Sequence, residues 1–396
     1  MTESITPDQF NPEDPEVQKD PYPYYPVLRT QRPVLKSSVG GQPCWVFSKR
    51  EDITKALMDS ETYSNRTTPL PNMLFVDSPE HERLRRMVSG MFTRAAVQPM
   101  AEFIDQTAER LIADILPSCR CDIIGDFAGP LTITMIGRML GITGLHVEKL
   151  RELSSLFVEY VLALQVGRTP SEESRVATEE LTRFMTGLAE SRSYVDGGVI
   201  AVLAAARASG DLTDEEFVHF AILLLLAGHS TTTNLIGNAV YMLAQRPQDL
   251  ERLAEDTAFV SPFMEEVLRT RPSFHREIRI TARDVEVAGE FIPAGSVVRL
   301  LLASANRDPA YYEAPETFDP DLKRRMHLSF GQGIHSCLGS WLARLEGATA
   351  LTVIARRLGS IALDPIEEPI LFSGGTFNEF GFKRLPVILT PRVRCA

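Results

Sequence analysis

Apolar residues recur at spacings of three and four through Phe103–Leu116, Leu131–Leu140, Leu150–Leu164, Leu181–Leu188 and Ala201–Arg207. That is the period of helices with one buried face. A longer element opens at Thr213, where Glu216 three residues on completes a capping box. It runs through Phe217–Leu226 to Leu243 and is apolar nearly all round, so it is expected to cross the interior. Ser261-Pro262 reads as an N-cap with proline at the first helical position, starting a short helix through Arg269. Another helix is expected over Ser340–Leu358, closed by Gly359. Strand patterns are short: Cys44–Phe47, Val285–Val287, Val297–Leu302 and Val387–Leu389. The chain is expected to be mainly α with small β-sheets near its ends. Length alone suggests two or three domains. No repeat or linker divides the pattern, so residues 21–396 read as one α-rich unit.

Charge changes this picture at one end. The first twenty residues carry six acids against Lys19 and read as a flexible acidic tail, residues 1–20. The net charge of −11, from 41 basic and 52 acidic residues, argues against a nucleic-acid surface. No stretch reads as the roughly 18 apolar residues of a membrane span, and no signal peptide is legible at the N-terminus. Five cysteines are too few for a disulfide framework and fit a reducing cytoplasm.

Chemistry concentrates in Phe330-Gly331-Gln332-Gly333-Ile334-His335-Ser336-Cys337-Leu338-Gly339. Three glycines around one cysteine allow backbone to approach a flat ligand where a Cβ would collide. Cys337 lies just before a helix, where amide N–H groups and the macrodipole stabilise a thiolate and are expected to lower its pKa. The plain alternative is a buried free cysteine in a glycine turn.

With that loop the chain resembles the cytochrome P-450 family, whose haem-ligand loop reads Phe-x-x-Gly-x-x-x-Cys-x-Gly. The resemblance runs from Asp20-Pro21-Tyr22-Pro23 to Leu385-Pro386-Val387. It implies the single triangular α-rich fold, haem b with iron held by Cys337, and Phe330, Gly331 and Gly339 shaping the ligand loop. Glu266-x-x-Arg269 is similar to the family's Glu-x-x-Arg pair, placed on one helix face. His81-x-x-x-Arg85, Arg279 and His335 match the family's contacts to the two haem propionates. His327 is a weaker candidate, as a core-satisfied histidine reads equally well.

Ala227-Gly228-His229-Ser230-Thr231-Thr232 is similar to the family's oxygen-binding segment. Ala227 and Gly228 would leave space above the iron and Thr231 would offer a hydroxyl one turn later. Ser230 stands where relatives carry Asp or Glu, which puts the usual route of proton delivery in question. A second departure is Leu322, four after Phe318, where the family often has arginine; Lys323 or Arg324 would take its place after a shift of one or two residues. The Cys119-x-Cys121 pair is a weak metal motif.

The resemblance implies a monooxygenase of the soluble bacterial type, drawing electrons from NAD(P)H through ferredoxin reductase and ferredoxin. Its substrate would be a polyketide, peptide or aromatic intermediate of secondary metabolism, antibiotic biosynthesis included, free or carrier-bound. Peroxygenase, oxidative coupling or rearrangement chemistry on the same fold stays open. So does a non-catalytic relative that activates a partner enzyme. Pocket walls are expected at Tyr63–Phe75, Phe157–Val166, Leu224, Ala227, Ser273–His275 and the turn 373–380. Lys323, Arg324 and Arg325 form a candidate docking face for an acidic electron donor.

Overall fold

The computed structural model describes residues 5–142, 147–322, 325–371 and 379–392. All five periodic stretches are helices, over Ala101–Ile115, Gly129–Leu140, Val147–Gln165, Glu172–Ser191 and Val199–Ser209. The central helix spans Asp214–Gln245 and opens as its sequence requires. Thr213 Oγ1 accepts from the Glu216 N–H at 3.1 Å, and Glu216 Oε2 accepts from the Thr213 N–H at 2.9 Å. Two helical stretches, Ile123–Leu140 and Asp214–Gln245, do prove long and apolar enough to cross a membrane. Each has 72% of its apolar window buried inside the protein, so here both serve as core helices.

Helix ends departed most from expectation. The short helix begins at Val260 with Phe259 as N-cap, so Pro262 sits in its first turn and Ser261 does not cap. The cysteine-side helix, Ser340–Arg357, passes straight into strand Leu358–Leu363. Leu358 is already extended and pairs with Pro391, so cross-strand bonding ends that helix in place of a glycine cap.

Strands from distant parts of the chain assemble one five-stranded sheet. Its order is Val34–Val39, Gln42–Phe47, Val297–Leu300, Glu277–Thr281 and Tyr63–Ser64, with only the second and third running parallel. A three-stranded sheet joins Arg120–Asp122, Pro386–Pro391 and Leu358–Leu363. The acidic N-terminal segment is docked over its described part, contrary to a flexible tail. Phe10 and Val17 are buried beside Tyr25 and Leu28, and burial of two large apolar groups outweighs the repulsion among exposed acids.

The central helix belongs to two separate apolar clusters. Phe217–Leu226 packs in one with Ile136, Leu150 and Phe157, while Leu235–Leu243 packs in another with Phe127, Phe263 and Leu351. Residues 227–234 contribute to neither cluster. Continuous apolar packing therefore stops at the small and polar segment singled out in the sequence.

His327 and Arg344 both hold Glu265, tying the short helix to the loop and helix flanking Cys337. Arg344 Nε donates to Glu265 Oε1 at 2.6 Å, and His327 Nε2 lies 3.1 Å from Oε2. His327 is thus satisfied structurally, away from the cysteine. Burial alone would push the Glu265 carboxyl up, but hydrogen bonds from His327 and Arg344 prevail and hold it at about 2. A carboxylate depressed on folding stabilises the protein above its unfolded value of about 4.3. That contribution is lost as pH falls through about 2. Urea midpoints followed from pH 5 towards pH 2 are expected to fall less steeply in Glu265→Gln than in wild type.

Candidate active site at the cysteine loop

The loop before helix Ser340–Arg357 is held by its own backbone. Gly331 N–H donates to the Leu328 carbonyl at 2.8 Å, Ser336 N–H to Gly333 at 3.1 Å, and Cys337 N–H to Phe330 at 2.8 Å. Gly331 and Gly333 take φ of +64° and +77°, which explains glycine there. A Cβ on Gly333 would stand 2.4 Å from the Leu57 carbonyl oxygen, and one on Gly331 2.7 Å from Glu277 Oε1. These two glycines are therefore needed for turn geometry and close packing. Gly339 differs: no atom lies within 4 Å of where its Cβ would be. Phe330 packs against the apolar core with the Arg344 guanidinium 4.5 Å from its ring centre.

Among the four described cysteines, Cys337 alone is exposed. Burial nevertheless pushes its thiol up, against the lowering effects of the Gly339 N–H, Arg85 and Arg344. Both facts hold together because a sulfur facing a recess is reachable while shielded from bulk water. The expected lowering by the helix terminus is present and is outweighed by desolvation. A bound metal reverses that balance, since a coordinating thiol is deprotonated outright.

Around this thiol the fold gathers the basic residues proposed from the sequence. His81 and Arg85 lie on helix Glu80–Val88, Arg279 on strand Glu277–Thr281, and His335 in the loop itself. The His81 and His335 rings stand 4.1 Å apart between centroids. Burial lowers His335 to about 3, helped by His81, Arg279 and Arg85. Burial lowers His81 also, with Arg85 adding to the effect. Arg85 is lowered by burial and raised by Cys337. Arg279 is engaged by the carboxylate of Glu277 and by the Ile278 carbonyl, the latter at 2.9 Å.

Both ring nitrogens of His81 and Nε2 of His335 are buried without a hydrogen-bond partner. Buried polar atoms normally have partners. Two closely packed, mutually tilted histidines flanked by arginines form a cradle suited to an anionic group. Together with a reachable thiol and the open space at Gly339, this donor set fits haem, two carboxylates and one iron included.

The oxygen-segment residues divide. Ala227 is exposed on a helix otherwise mostly buried around it, so it faces an open space. Gly228 does not: a Cβ there would meet Ile136 Cδ1 at 2.4 Å, because helix Gly129–Leu140 crosses at that point. Close helix packing accounts for this glycine. Thr231 Oγ1 donates to the Ala227 carbonyl at 3.0 Å. Ser230 Oγ is 3.3 Å from the Leu226 carbonyl and closer, 2.8 Å, to Glu379 Oε1.

The chain has relatives in both sequence and structure. The cytochrome P450 family model matches residues 189–369. The chain is 32% identical over 364 residues to the biotin biosynthesis cytochrome P450 of Bacillus subtilis, covering 88% of this chain and 92% of that one. It is 35% identical over 378 residues to the erythromycin C-12 hydroxylase of Saccharopolyspora erythraea, covering 91% and 92%. This chain belongs to the cytochrome P450 family. The structure of P450BioI with an acyl carrier protein ligated to hexadec-9Z-enoic acid superposes with a TM-score of 0.85, at 30% identity over 94% of this chain and 99% of that one. CxnD, a P450 for C–S bond formation in chuangxinmycin biosynthesis, gives 0.88 at 29% identity over 99% of both chains. The fold is thus the P450 fold, and the protein is a P450 oxidoreductase whose family implies haem-thiolate iron.

Several sequence expectations fall elsewhere. Glu266 and Arg269 form the buried bidentate pair, with Nε–Oε2 and Nη2–Oε1 both 2.8 Å. The Asp319 N–H, donating to Glu266 Oε1 at 2.9 Å, adds backbone support that needs no arginine at Leu322. Lys323, Arg324 and Cys395 lie outside the described residues, as does most of the turn 373–380; Arg325 is exposed over the Tyr311 ring. Cys119 and Cys121 form no metal cluster among the described residues, and the Cys119 thiol donates to the Leu116 carbonyl. His275 is engaged with Tyr22 and Tyr25, which withdraws it from the expected pocket wall. Gln165 Nε2 does bond Thr67 Oγ1 at 3.0 Å, joining two expected walls.

Sequence reasoning missed Glu379. Ser230, Asn234 and Asn238 recur every four residues on an apolar helix, and such a stripe needs buried polar partners. That was the available signal.

Proposed function

We propose that this P450 is a haem-thiolate monooxygenase in which Cys337 is the axial ligand and His81, Arg85, Arg279 and His335 hold the two propionates. The convergence of those four side chains around His335, with Arg85 also reaching Cys337 and two of the four carrying unpartnered buried nitrogens, carries this reading. When bound, the haem supplies dioxygen activation, with the thiolate favouring O–O cleavage. Ala227 leaves room on the oxygen side, and Thr231, whose hydroxyl donates to the Ala227 carbonyl, would turn it towards dioxygen. The protein contributes orientation, exclusion of water and proton supply. Electrons come from NAD(P)H through a ferredoxin and its reductase, with Arg325 part of a basic docking face.

Its substrate is a largely apolar intermediate of bacterial secondary metabolism, a polyketide, peptide or aromatic acid, offered free or on a carrier protein. The erythromycin hydroxylase and the carrier-bound P450BioI complex support this class. Oxidative coupling is the second reading, supported by CxnD. Product mass separates the two: hydroxylation adds one oxygen, whereas coupling removes two hydrogens.

The test begins with haem added to the apoprotein. Wild type is expected to load it and give a thiolate-type carbon monoxide spectrum when reduced. An Arg85→Ala, Arg279→Ala double variant is expected to lose haem to apomyoglobin about tenfold faster or more, as buried carboxylates lose their partners. Equal retention defeats the anchoring assignment. A wild type that binds no haem would leave the partner-activator reading standing.

A further inference from the structure

The acid missing from position 230 is restored in space by a different part of the chain. Ser230 Oγ donates to Glu379 Oε1 at 2.8 Å, and Asn234 Nδ2 donates to Oε2 at 3.2 Å. These partners are separated by 149 and 145 residues. Glu379 is held where it is by several contacts. It bridges to Phe274, the next residue donates its N–H to the Ser273 carbonyl at 2.8 Å, and Asn238 Nδ2 reaches the Phe380 carbonyl at 3.3 Å. Gly381 then passes so close to the helix that a Cβ would sit 2.4 Å from Asn234 Oδ1. Ser230, Asn234 and Asn238 therefore form one polar face that docks this segment on the central helix.

From this geometry we infer that Glu379 is a positioning residue acting through Ser230, the two together replacing the helix acid as the reserve of protons for oxygen reduction. This rests on the monooxygenase reading above. With Glu379 protonated the bond runs the other way: the carboxyl O–H donates to Ser230 Oγ, and gives it the proton as that hydroxyl releases its own towards the oxygen side. Glu379, left anionic, regains a proton from solvent water. Electrons come from the ferredoxin-type donor, and the protons delivered end in water formed from dioxygen. A serine alone carries no such reserve, having no accessible acid pKa near neutrality.

Burial raises the Glu379 carboxyl above the ordinary carboxylate range, against the hydrogen bonds from Ser230 and Asn234. Other ionisable groups packed on the same segment are Arg271, 5.1 Å from the Phe380 ring centre, His275, stacked on that ring at 4.2 Å, and Tyr22 at 5.7 Å. On the central helix the faces in contact are the neutral Ser230, Asn234 and Asn238.

Two measurements test the relay. In the haem-free chain, an infrared band of a protonated carboxyl group, assigned by its loss in Glu379→Gln, is expected to titrate above the normal carboxylate range. Its midpoint should rise in Ser230→Ala, which removes a bond favouring the anion. In the loaded enzyme, reduced by NADPH through a plant-type ferredoxin and its reductase without added substrate, the measure is the fraction of consumed oxygen returned as hydrogen peroxide. Wild type is expected to return more peroxide as pH rises through the infrared midpoint, because the reserve proton is lost. Glu379→Gln should sit near the wild-type high-pH fraction at every pH, and Glu379→Asp should keep the slope. A normal thiolate spectrum with the wild-type slope retained in Glu379→Gln overturns the relay alone, as does a band titrating in the ordinary range. Absence of that spectrum from wild type overturns the monooxygenase reading and the relay with it.

Discussion

Replacing Cys337 by serine is expected to abolish the thiolate-type carbon monoxide spectrum, whereas serine at Cys44, Cys119, Cys121 or Cys395 leaves it unchanged. The contrast follows from what surrounds each described sulfur. Cys44 is buried, and burial raises its thiol despite nearby Arg299 and Arg276. Cys121 is pushed up to about 12 by burial first and then by Asp126 and Asp122. Cys119 spends its S–H on the Leu116 carbonyl at 3.2 Å. Among the described cysteines, Cys337 alone combines an exposed position with three groups that favour the anion: the Gly339 N–H, Arg85 and Arg344. A serine hydroxyl in the same place lacks thiolate donation to a metal. Loss of the spectrum on changing another cysteine, with Cys337→Ser intact, would reassign the ligand.

Arg269→Ala is expected to destabilise the fold by about 3–5 kcal/mol, the cost of leaving a buried charge without its partner. Arg269 and Glu266 expose 1% and 4% of their side chains, so water cannot replace the lost guanidinium. The same arginine also donates to the carbonyls of Asn306 at 2.9 Å and of Pro315 and Thr317 at 2.8 Å each. One truncation therefore strips a carboxylate and three backbone acceptors. Against a typical total of about 5–15 kcal/mol, that is a large fraction. Arg252 and Asp321 offer the control, since their two hydrogen bonds of 2.7 and 2.6 Å are equally short but solvent-exposed. Arg252→Ala should leave the urea midpoint nearly unchanged, because water solvates what it exposes. Similar losses in both variants would refute the argument from burial.

Local physics was legible along the chain. Helical periodicity placed the five amphipathic helices, and the Thr213–Glu216 box marked the start of the central one. The spacing of Cys337 from its glycines marked the turn whose backbone angles the structure shows. These signals work because residues three or four apart share a helix face, and turns demand particular backbone angles. What depends on approach between distant segments was not legible. The N-terminal acids looked solvated, yet Phe10 and Val17 dock them. Gly228 looked like space beside a ligand, yet Ile136 fills it from a crossing helix.

Ser230 shows the division most sharply. By itself the sequence determined that the helix lacks an acid before Thr231, since that is a statement about one position. Only the tertiary structure decided that Glu379 stands 2.8 Å from that hydroxyl. Nothing in local spacing encodes a contact across 149 residues; it arises because a polar stripe on a buried helix must be matched by whichever segment packs against it.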